Sequence, residues 1–244
     1  MSPTENLFSS SQTIDQLSLT EAVSTMIDSN NQAVKAVKTS AYVIEKGVVE
    51  IHDRLKKSKF GRLIYVGAGT SGRIGVQDGV ELYPTFGWPQ ERVDFLIAGG
   101  KDALLRPIEN AEDQTTKLTE KLNKLKVNYF DVIIGLAASG NTPYTNKIIE
   151  LSRELGALTI GISNNPSGSI LKSSEIGICL DTQGEVVAGS TRLKAATSQK
   201  ICLNTISTLV MVKFKRVKNG QMTHLIATNE KLRERKKRIF NNNN

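Results

Sequence analysis

The sequence predicts an α/β protein in which a mostly parallel β-sheet is covered by helices on both faces. Five short apolar runs, rich in β-branched residues and bounded by Gly, Ser or Asn, alternate with longer amphipathic segments. Parallel neighbouring strands need long crossover connections, and helices supply them. The 244 residues include 39% hydrophobic side chains, which is an ordinary content for a folded chain with a sizeable core.

Helical periodicity precedes the first apolar run. Between residues 19 and 58, apolar residues recur at three- and four-residue spacing, which predicts two helices. Five predicted strands follow, at 63–66, 93–98, 131–136, 158–162 and 176–180. The amphipathic segments between them are 71–83, 102–125, 142–155 and 166–173. A last long helix is predicted over about 190–217, and a basic helical stretch, NEKLRERKKRIF, follows at 229–240.

The excess positive charge is confined to the C-terminal part of the chain. The formal net charge is +8; residues 201–244 carry ten basic and two acidic side chains, and residues 1–200 balance. Nucleic-acid binders typically carry a basic face with interleaved aromatics inside the folded domain. The distribution therefore argues against nucleic acid as the main partner.

Composition also bears on membranes and metals. No apolar run reaches the roughly 18 residues that a membrane-spanning helix needs, and the first residues lack a signal-peptide pattern. We therefore expect a cytoplasmic chain with no membrane partner. Cys179, Cys202, His52 and His224 are too few and too scattered for a Cys/His zinc site, so no metal is expected.

Two Ser-Gly turns follow predicted strands, where ligands of open parallel sheets bind. The first is GAGTSGR at 67–73 and the second is AASGNTP at 137–143. Their hydroxyl groups and the helix N-termini that they open suit the phosphate and the hydroxyls of a sugar phosphate. The alternative is that Ser139 and Thr142 are ordinary helix caps. The candidate binding residues are Gly69, Thr70, Ser71, Ser139, Gly140, Asn141 and Thr142.

The first turn also satisfies G-x-G-x-x-G, a pattern that occurs in dinucleotide-binding proteins. The acidic residue that should close the second strand is absent, since that strand ends in LIAGG at 96–100. No nicotinamide or flavin cofactor is therefore expected.

Longer strings resemble one family. They are GAGTSGRIGVQDGVELYPTFG at 67–87, LIAGG at 96–100, ENAED at 109–113, GLAASGNTPY at 135–144 and STRLKAATSQK at 190–200. Together they resemble N-acetylmuramic acid 6-phosphate etherase, a member of the sugar isomerase (SIS) superfamily, and the resemblance extends over about 14–235. It implies a three-layer α/β/α sandwich with a five-stranded, mostly parallel sheet preceded by helices. The implied reaction cleaves the lactyl ether of a phosphorylated amino sugar during cell-wall recycling, without a cofactor.

The resemblance also implies site residues. Glu81 matches the proton-donating glutamate of the family and Glu112 its second catalytic glutamate; without the resemblance, neither stands out among 24 acidic residues. Burial beside Leu82, Tyr83 and Phe86 is expected to raise the pKa of Glu81.

Residues that open the last long helix match a further family string. Ser190 and Lys194 are therefore candidate substrate ligands, although Lys194 fits a solvated helix position equally well. Glu185 precedes that helix, near the place where some superfamily isomerases use a carboxylate. One departure from the family is Asn141, which stands where relatives usually have Arg.

The resemblance further implies a domain division and a partner. The expected parts are an N-terminal helical segment at 1–58, an SIS domain at 59–220 and a basic C-terminal helix at 221–244, truncated relative to the family. SIS domains commonly pair, so a homodimer is expected.

Two other functions remain open. The first is a sugar-phosphate sensor similar to the glucokinase regulatory protein, which would bind the ligand without needing Glu81. The second is an aldose–ketose isomerase, which would use similar carbonyl chemistry on another sugar phosphate.

Overall fold

A computed structural model describes residues 12–227 and, in addition, residues 6, 8, 230, 233 and 234. No helix within this described part of the chain has both the length and the apolar character needed to cross a bilayer. The predicted helix at 229–240 lies almost wholly outside the described residues. The predicted division at 58/59 and 220/221 stays a prediction.

Five parallel strands form the central sheet. They are β1 (Leu63–Gly67), β2 (Val93–Ile97), β3 (Val132–Ala137), β4 (Leu158–Ser163) and β5 (Ile176–Cys179). Their spatial order is β2-β1-β3-β4-β5. β1 therefore has β2 on one side and β3 on the other, with Leu63 in register with both Val93 and Val132. The predicted strands are confirmed to within one residue at each end.

Nine α-helices lie within residues 12–227. They are α1 (Leu19–Ser29), α2 (Asn31–Thr39), α3 (Ala41–Lys56), α4 (Gly69–Val80), α5 (Leu82–Phe86), α6 (Leu118–Leu125), α7 (Pro143–Glu154), α8 (Ile170–Ser173) and α9 (Lys194–Lys213). On one face of the sheet, α3, α4 and α9 pack on a core that contains Leu63, Tyr65 and Ile134. On the other face, α6, α7 and α8 pack on a core around Ile64, Val66 and Ile133. Helices on both faces confirm the predicted class.

Three α-helices lie between residues 19 and 58, so the prediction of two there was wrong. Polar residues interrupt the apolar periodicity at two points, and both bond to the backbone with their side chains. The Asn30 amide donates to the carbonyl oxygen of Met26 at 2.9 Å, and the Ser40 hydroxyl donates to the carbonyl oxygen of Cys179. The second of these bonds reaches the end of β5, so the break between α2 and α3 lies against the sheet.

Three other predicted helices are shorter than expected, and the one at 166–173 is reduced to the four residues of α8. The amphipathic segment at 102–125 is mostly loop, with short 3-10 turns at Lys101–Leu104 and Ala111–Asp113 before α6 begins. The last helix begins at Lys194, because the Glu185 carboxylate accepts hydrogen bonds from the first backbone N–H groups of α9. Beyond its end, β6 (Val217–Lys218) and β7 (Gln221–Met222) form a small hairpin.

A buried polar cluster fixes α4 against α9. The Asp78 carboxylate accepts hydrogen bonds from the hydroxyl of Tyr65 at 2.8 Å, the amide of Asn204 at 2.7 Å and the hydroxyl of Ser207 at 2.9 Å. Burial, with the nearby charge of Asp78, raises the pKa of the Cys202 thiol to about 12. This cysteine is therefore an inert packing residue at neutral pH.

Candidate functional site

The order of the strands creates a crevice above β1 and β3. The connection after β1 leads to α4 on one face of the sheet, and the connection after β3 leads to α7 on the other. Such a reversal point is where open α/β sheets bind ligands, beyond the carboxyl ends of the strands. Both Ser-Gly turns lie at this point.

The first turn presents free backbone N–H groups. Its N-cap residue is Ala68, whose methyl group cannot accept a hydrogen bond, and Gly69 follows with φ +52°. The N–H groups of the first helical turn have no partner within the helix and carry its positive dipole end. The closeness of α4 to β1 depends on glycine, because a Cβ on Gly72 would lie 2.9 Å from the carbonyl oxygen of Gly67.

The second turn has a similar construction. Gly140 has φ +72°, and the Ser139 hydroxyl accepts a hydrogen bond of 3.2 Å from the N–H of Asn141. Thr142 is the N-cap residue of α7, but its side chain makes no capping hydrogen bond to any described residue. The alternative of an ordinary cap is therefore wrong for Thr142, and its hydroxyl remains available to a ligand.

The two turns line one cavity of about 260 Å³, which we call the turn cavity. It brings together residues from the connections after β1, β2, β3 and β5. Its lining consists of Ala68, Gly69, Thr70, Ser71, Glu112, Ala137, Ala138, Ser139, Thr142, Gly189 and Thr191. Hydroxyl groups from two helix N-termini thus face one carboxylate.

A second cavity of about 360 Å³ adjoins it, which we call the arginine cavity. Its lining consists of Ala68, Gly69, Thr70, Arg73, Ala98, Ala103, Arg106, Pro107, Ile108, Glu109, Asn110, Ala111 and Glu112. Four of these residues, Ala68, Gly69, Thr70 and Glu112, also line the turn cavity. Glu112 therefore lies at the junction of the two cavities.

The local backbone explains how Glu112 reaches that junction. Asn110 adopts a left-handed conformation with φ 55°, which asparagine tolerates better than most residues. A single 3-10 turn follows at Ala111–Asp113, and the Ala111 side chain is buried in the core around β1 and β3. Anchoring Ala111 leaves the next side chain, Glu112, exposed to the cavities.

Some predicted ligands have other roles in the chain. The side-chain Oδ1 atom of Asn141 accepts a hydrogen bond of 3.0 Å from the N–H of Ser169, and the backbone carbonyl oxygen of Gly140 accepts one of 3.0 Å from the N–H of Ile170. Both residues thereby attach the second turn to the segment after β4. Ser190 lies between two cavity-lining residues, but it is not itself part of the lining.

Glu81 lies far from both cavities within one chain. It follows the last residue of α4, whose first residue lines the cavities. Twelve helical residues at about 1.5 Å each separate the two positions by about 18 Å. Glu81 is also exposed, so the expected burial beside Leu82, Tyr83 and Phe86 is wrong for the single chain.

Lys194 is buried, which contradicts the alternative of a solvated helix position. Its ammonium group donates a hydrogen bond to the side-chain oxygen of Gln32 in α2 and lies 4.9 Å from the ring centre of Phe8. Burial lowers the pKa of Lys194, and the nearby charges of Glu185 and Asp181 oppose that shift. Burial also raises the pKa of Glu185, against hydrogen bonds from the N–H groups of Ala195 and Lys194. This lysine lies outside both cavities.

Several residues that line the cavities are not among the predicted substrate ligands, and two of them carry hydrogen-bond donors towards the site. Thr191 adds a hydroxyl to the turn cavity, and Arg106 adds a cation to the arginine cavity. Both occur in connections that leave the carboxyl edge of the sheet, the same signal that identified the Ser-Gly turns. Within the described residues, His, Cys, Asp and Glu side chains form no group of three that could hold a metal ion.

Solved structures share this fold. A phosphoheptose isomerase from Francisella tularensis has a TM-score of 0.61 and 13% identity, covering 80% of this chain and all of that one. The NanR protein of Vibrio vulnificus, solved in complex with ManNAc-6P, has a TM-score of 0.55 and 12% identity, covering 81% and 67%. The family model of the glucokinase regulatory protein N-terminal SIS domain matches residues 43–153. These similarities indicate an SIS-type fold.

Sequence relatives carry a more specific name, N-acetylmuramic acid 6-phosphate etherase. The protein from Clostridium beijerinckii is 44% identical over 93% of this chain and 74% of its own length. The protein from Oceanobacillus iheyensis is 42% identical over 98% of this chain and 80% of its own length. The protein from Deinococcus radiodurans is 41% identical over 93% of this chain and 73% of its own length. At this identity and coverage, the chain belongs to the N-acetylmuramic acid 6-phosphate etherase family.

Proposed function

We propose that the protein cleaves the D-lactyl ether of N-acetylmuramic acid 6-phosphate, giving N-acetylglucosamine 6-phosphate and D-lactate. Family membership at about 40% identity over nearly the whole chain carries this proposal. The crevice supports it, because hydroxyl groups and helix N-termini suit a sugar phosphate and a carboxylate adjoins them. We propose the cytoplasm as its compartment, since phosphorylated sugars do not cross a bilayer unaided.

The proposed reaction avoids direct attack on the ether, which is a poor electrophile. Opening the sugar ring gives an aldehyde at C1, and this carbonyl makes the C2 proton acidic. A base removes that proton, and the electron pair forms the C2–C3 double bond as lactate leaves C3 with the ether oxygen, protonated by an acid. Water then adds its hydroxyl to C3 and a proton returns to C2. Carboxyl groups supply the acid and the base.

In this scheme Glu112 is one of the two catalytic groups. It is the carboxylate shared by the two cavities, and it faces the hydroxyl-bearing turns. We assign phosphate binding to the first turn of α4 together with Thr70, Ser71, Ser139 and Thr142.

We propose that the second catalytic group is Glu81 of a partner subunit in a homodimer. Glu81 is exposed and about 18 Å from the cavities of its own chain, so it serves a site only across an interface. Apolar side chains for such an interface lie along α1, where Leu19, Val23 and Ile27 are 82%, 51% and 66% exposed. These three residues, which we call the α1 stripe, recur every fourth residue on one helix face.

Lactate release in D₂O tests the reaction. We expect the protein to release D-lactate from N-acetylmuramic acid 6-phosphate and to leave deuterium at C2 of the product. Glu112→Gln should lower kcat by about 10²- to 10⁴-fold, the scale expected for losing a positioned acid or base. Asp113→Asn, an exposed carboxyl in the same 3-10 turn that lines neither cavity, is the matched control. Lactate release without deuterium at C2 would contradict the elimination route.

The second candidate function is a sugar-phosphate sensor. The match of residues 43–153 to the glucokinase regulatory protein SIS domain favours it. A sensor would bind the muramic acid phosphate tightly and release no lactate. The same assay, accompanied by a binding measurement, therefore separates the two functions.

A further inference from the structure

Arg106 has a distinctive place among the cations of the site. Two arginines line the arginine cavity, Arg73 and Arg106. The guanidinium of Arg73 is occupied by backbone: its Nε donates to the carbonyl oxygens of Ala103 and Leu104 at 3.1 and 3.2 Å, and its Nη2 donates to that of Arg106 at 3.4 Å. Arg73 therefore holds the loop after β2 against α4.

The guanidinium of Arg106 has no such occupation. It is exposed, and within the described part of the chain it has neither an ion pair nor a side-chain hydrogen bond. Its backbone is held by Arg73, so the loop brings the free cation to the cavity wall. The carboxylates of Glu109 and Glu112 line the same cavity, and Arg106 offers the unpaired donors there.

The geometry of the two cavities constrains how a substrate lies across them. On the proposed function, the phosphate on C6 occupies the turn cavity and the reacting C2 and C3 atoms lie near Glu112. C4 and C5 separate C3 from C6, so the C3 substituent extends beyond Glu112, away from the phosphate. The space beyond Glu112 is the arginine cavity.

The C3 substituent of the proposed substrate ends in a carboxylate. Arginine presents N–H groups in a planar fork that matches a carboxylate with two parallel hydrogen bonds. We propose that Arg106 binds the carboxylate of the lactyl group and thereby selects sugar phosphates that carry an acidic ether at C3. This inference rests on the proposed function, because the substrate supplies the second anion.

Paired substrates test this role. The probes are N-acetylmuramic acid 6-phosphate and its lactyl amide, which has the same shape without the charge. We expect Arg106→Ala to lower kcat/KM for the acid about 10- to 100-fold, which is the scale for losing a hydrogen bond to a charged group. The kcat/KM for the amide should change less than about twofold. Arg106→Lys should recover part of the loss, since lysine keeps the charge without the fork. Lys101→Ala removes an exposed cation from the same loop outside the cavity and should change neither rate.

A binding measurement keeps the test decisive if turnover is slow. In the Glu112→Gln background, Arg106→Ala should weaken the binding of N-acetylmuramic acid 6-phosphate by the same factor. It should leave the binding of N-acetylglucosamine 6-phosphate unchanged, because that sugar has no lactyl group. An equal loss of kcat/KM for the acid and the amide would overturn this role of Arg106. Weaker binding of N-acetylglucosamine 6-phosphate would also overturn it, because Arg106 would then contact the phosphate. If wild-type protein released neither lactate from the acid nor lactamide from the amide, the proposed function would fail, while the binding comparison would still decide the role of Arg106.

Discussion

At the residue scale, Glu185 illustrates how burial changes the chemistry of one carboxyl group. Its two oxygens accept hydrogen bonds from the N–H groups of Ala195 at 2.9 Å and Lys194 at 3.3 Å, and they thereby cap the N-terminus of α9. These bonds favour the ionised form, yet desolvation is larger and raises the pKa of Glu185 above its ordinary value of 4.5. The folded state therefore binds this proton more tightly than the unfolded chain does.

This shift predicts a pH dependence of stability. The contribution of Glu185 is fully present below pH 4.5, its unfolded pKa, and is lost as the pH rises through the raised pKa of the folded state. We expect the free energy of unfolding of wild type, relative to Glu185→Gln, to decrease from about pH 4 towards pH 8. Urea unfolding at a series of pH values measures it, with exposed Glu91→Gln as the control. If the difference in unfolding free energy between wild type and Glu185→Gln stayed constant or rose with pH, the raised pKa of Glu185 would be contradicted.

At the element scale, the approach of α4 to β1 depends on the absence of side chains. A Cβ on Gly67 would lie 2.9 Å from the backbone of Gly72, and a Cβ on Gly72 would lie 2.9 Å from the carbonyl oxygen of Gly67. Backbone atoms cannot rotate away as a flexible side chain can. The N-terminus of α4 lines both cavities, so this contact also positions the first Ser-Gly turn.

Gly72→Ala should therefore destabilise the protein by about 1–3 kcal/mol, the usual cost of overpacking, and lower its Tm. Gly47→Ala, inside α3, is the matched control. A Cβ on Gly47 would lie 3.9 Å from the Cδ1 atom of Ile178, which is an ordinary van der Waals contact. That change should stabilise the protein by about 0.5–1 kcal/mol. Equal thermal stability of Gly72→Ala and wild type would mean that α4 shifts without cost.

At the scale of the whole molecule, the distance between Glu81 and Glu112 predicts complementation between inactive subunits. A heterodimer of Glu81→Gln and Glu112→Gln chains contains one site in which both glutamates are intact, if Glu81 acts across the interface. Statistical mixing of the two chains should then restore about one quarter of wild-type turnover. Lactate release by the mixture after co-refolding measures it. If both groups act within one chain, the mixture stays inactive.

The α1 stripe predicts where subunits associate. Val23→Glu combined with Ile27→Glu places two charges on the exposed apolar face and should shift the protein from dimer to monomer, with loss of lactate release. Sedimentation velocity measures the association state. Leu155→Glu, at a 41% exposed apolar residue next to α7 on the opposite layer, is the control and should remain dimeric. A dimer that survives the double change would exclude α1 from the interface.

Local sequence determined most of the secondary structure. The five β-branched runs became the five strands because each is short, apolar and bounded by turn residues. Periodicity was less informative where long-range contacts decided the outcome. The break at Ser40 depends on a hydrogen bond to Cys179, and the start of α9 depends on Glu185, neither of which a periodic pattern contains. The segment at 102–125 is amphipathic, yet hydrogen bonds from the Arg73 side chain to its backbone carbonyl oxygens hold its first part as a loop.

The sequence by itself determined the class of fold and the two Ser-Gly turns, because strand runs and turn residues are local signals. Only the tertiary structure decided that β1 lies beside β3, which brings Ser71, Ser139 and Thr142 around one cavity with Glu112. It also decided that Lys194 is buried and that Glu81 lies at the far end of α4. Strand order and burial depend on residues distant in the chain, so no local pattern contains them.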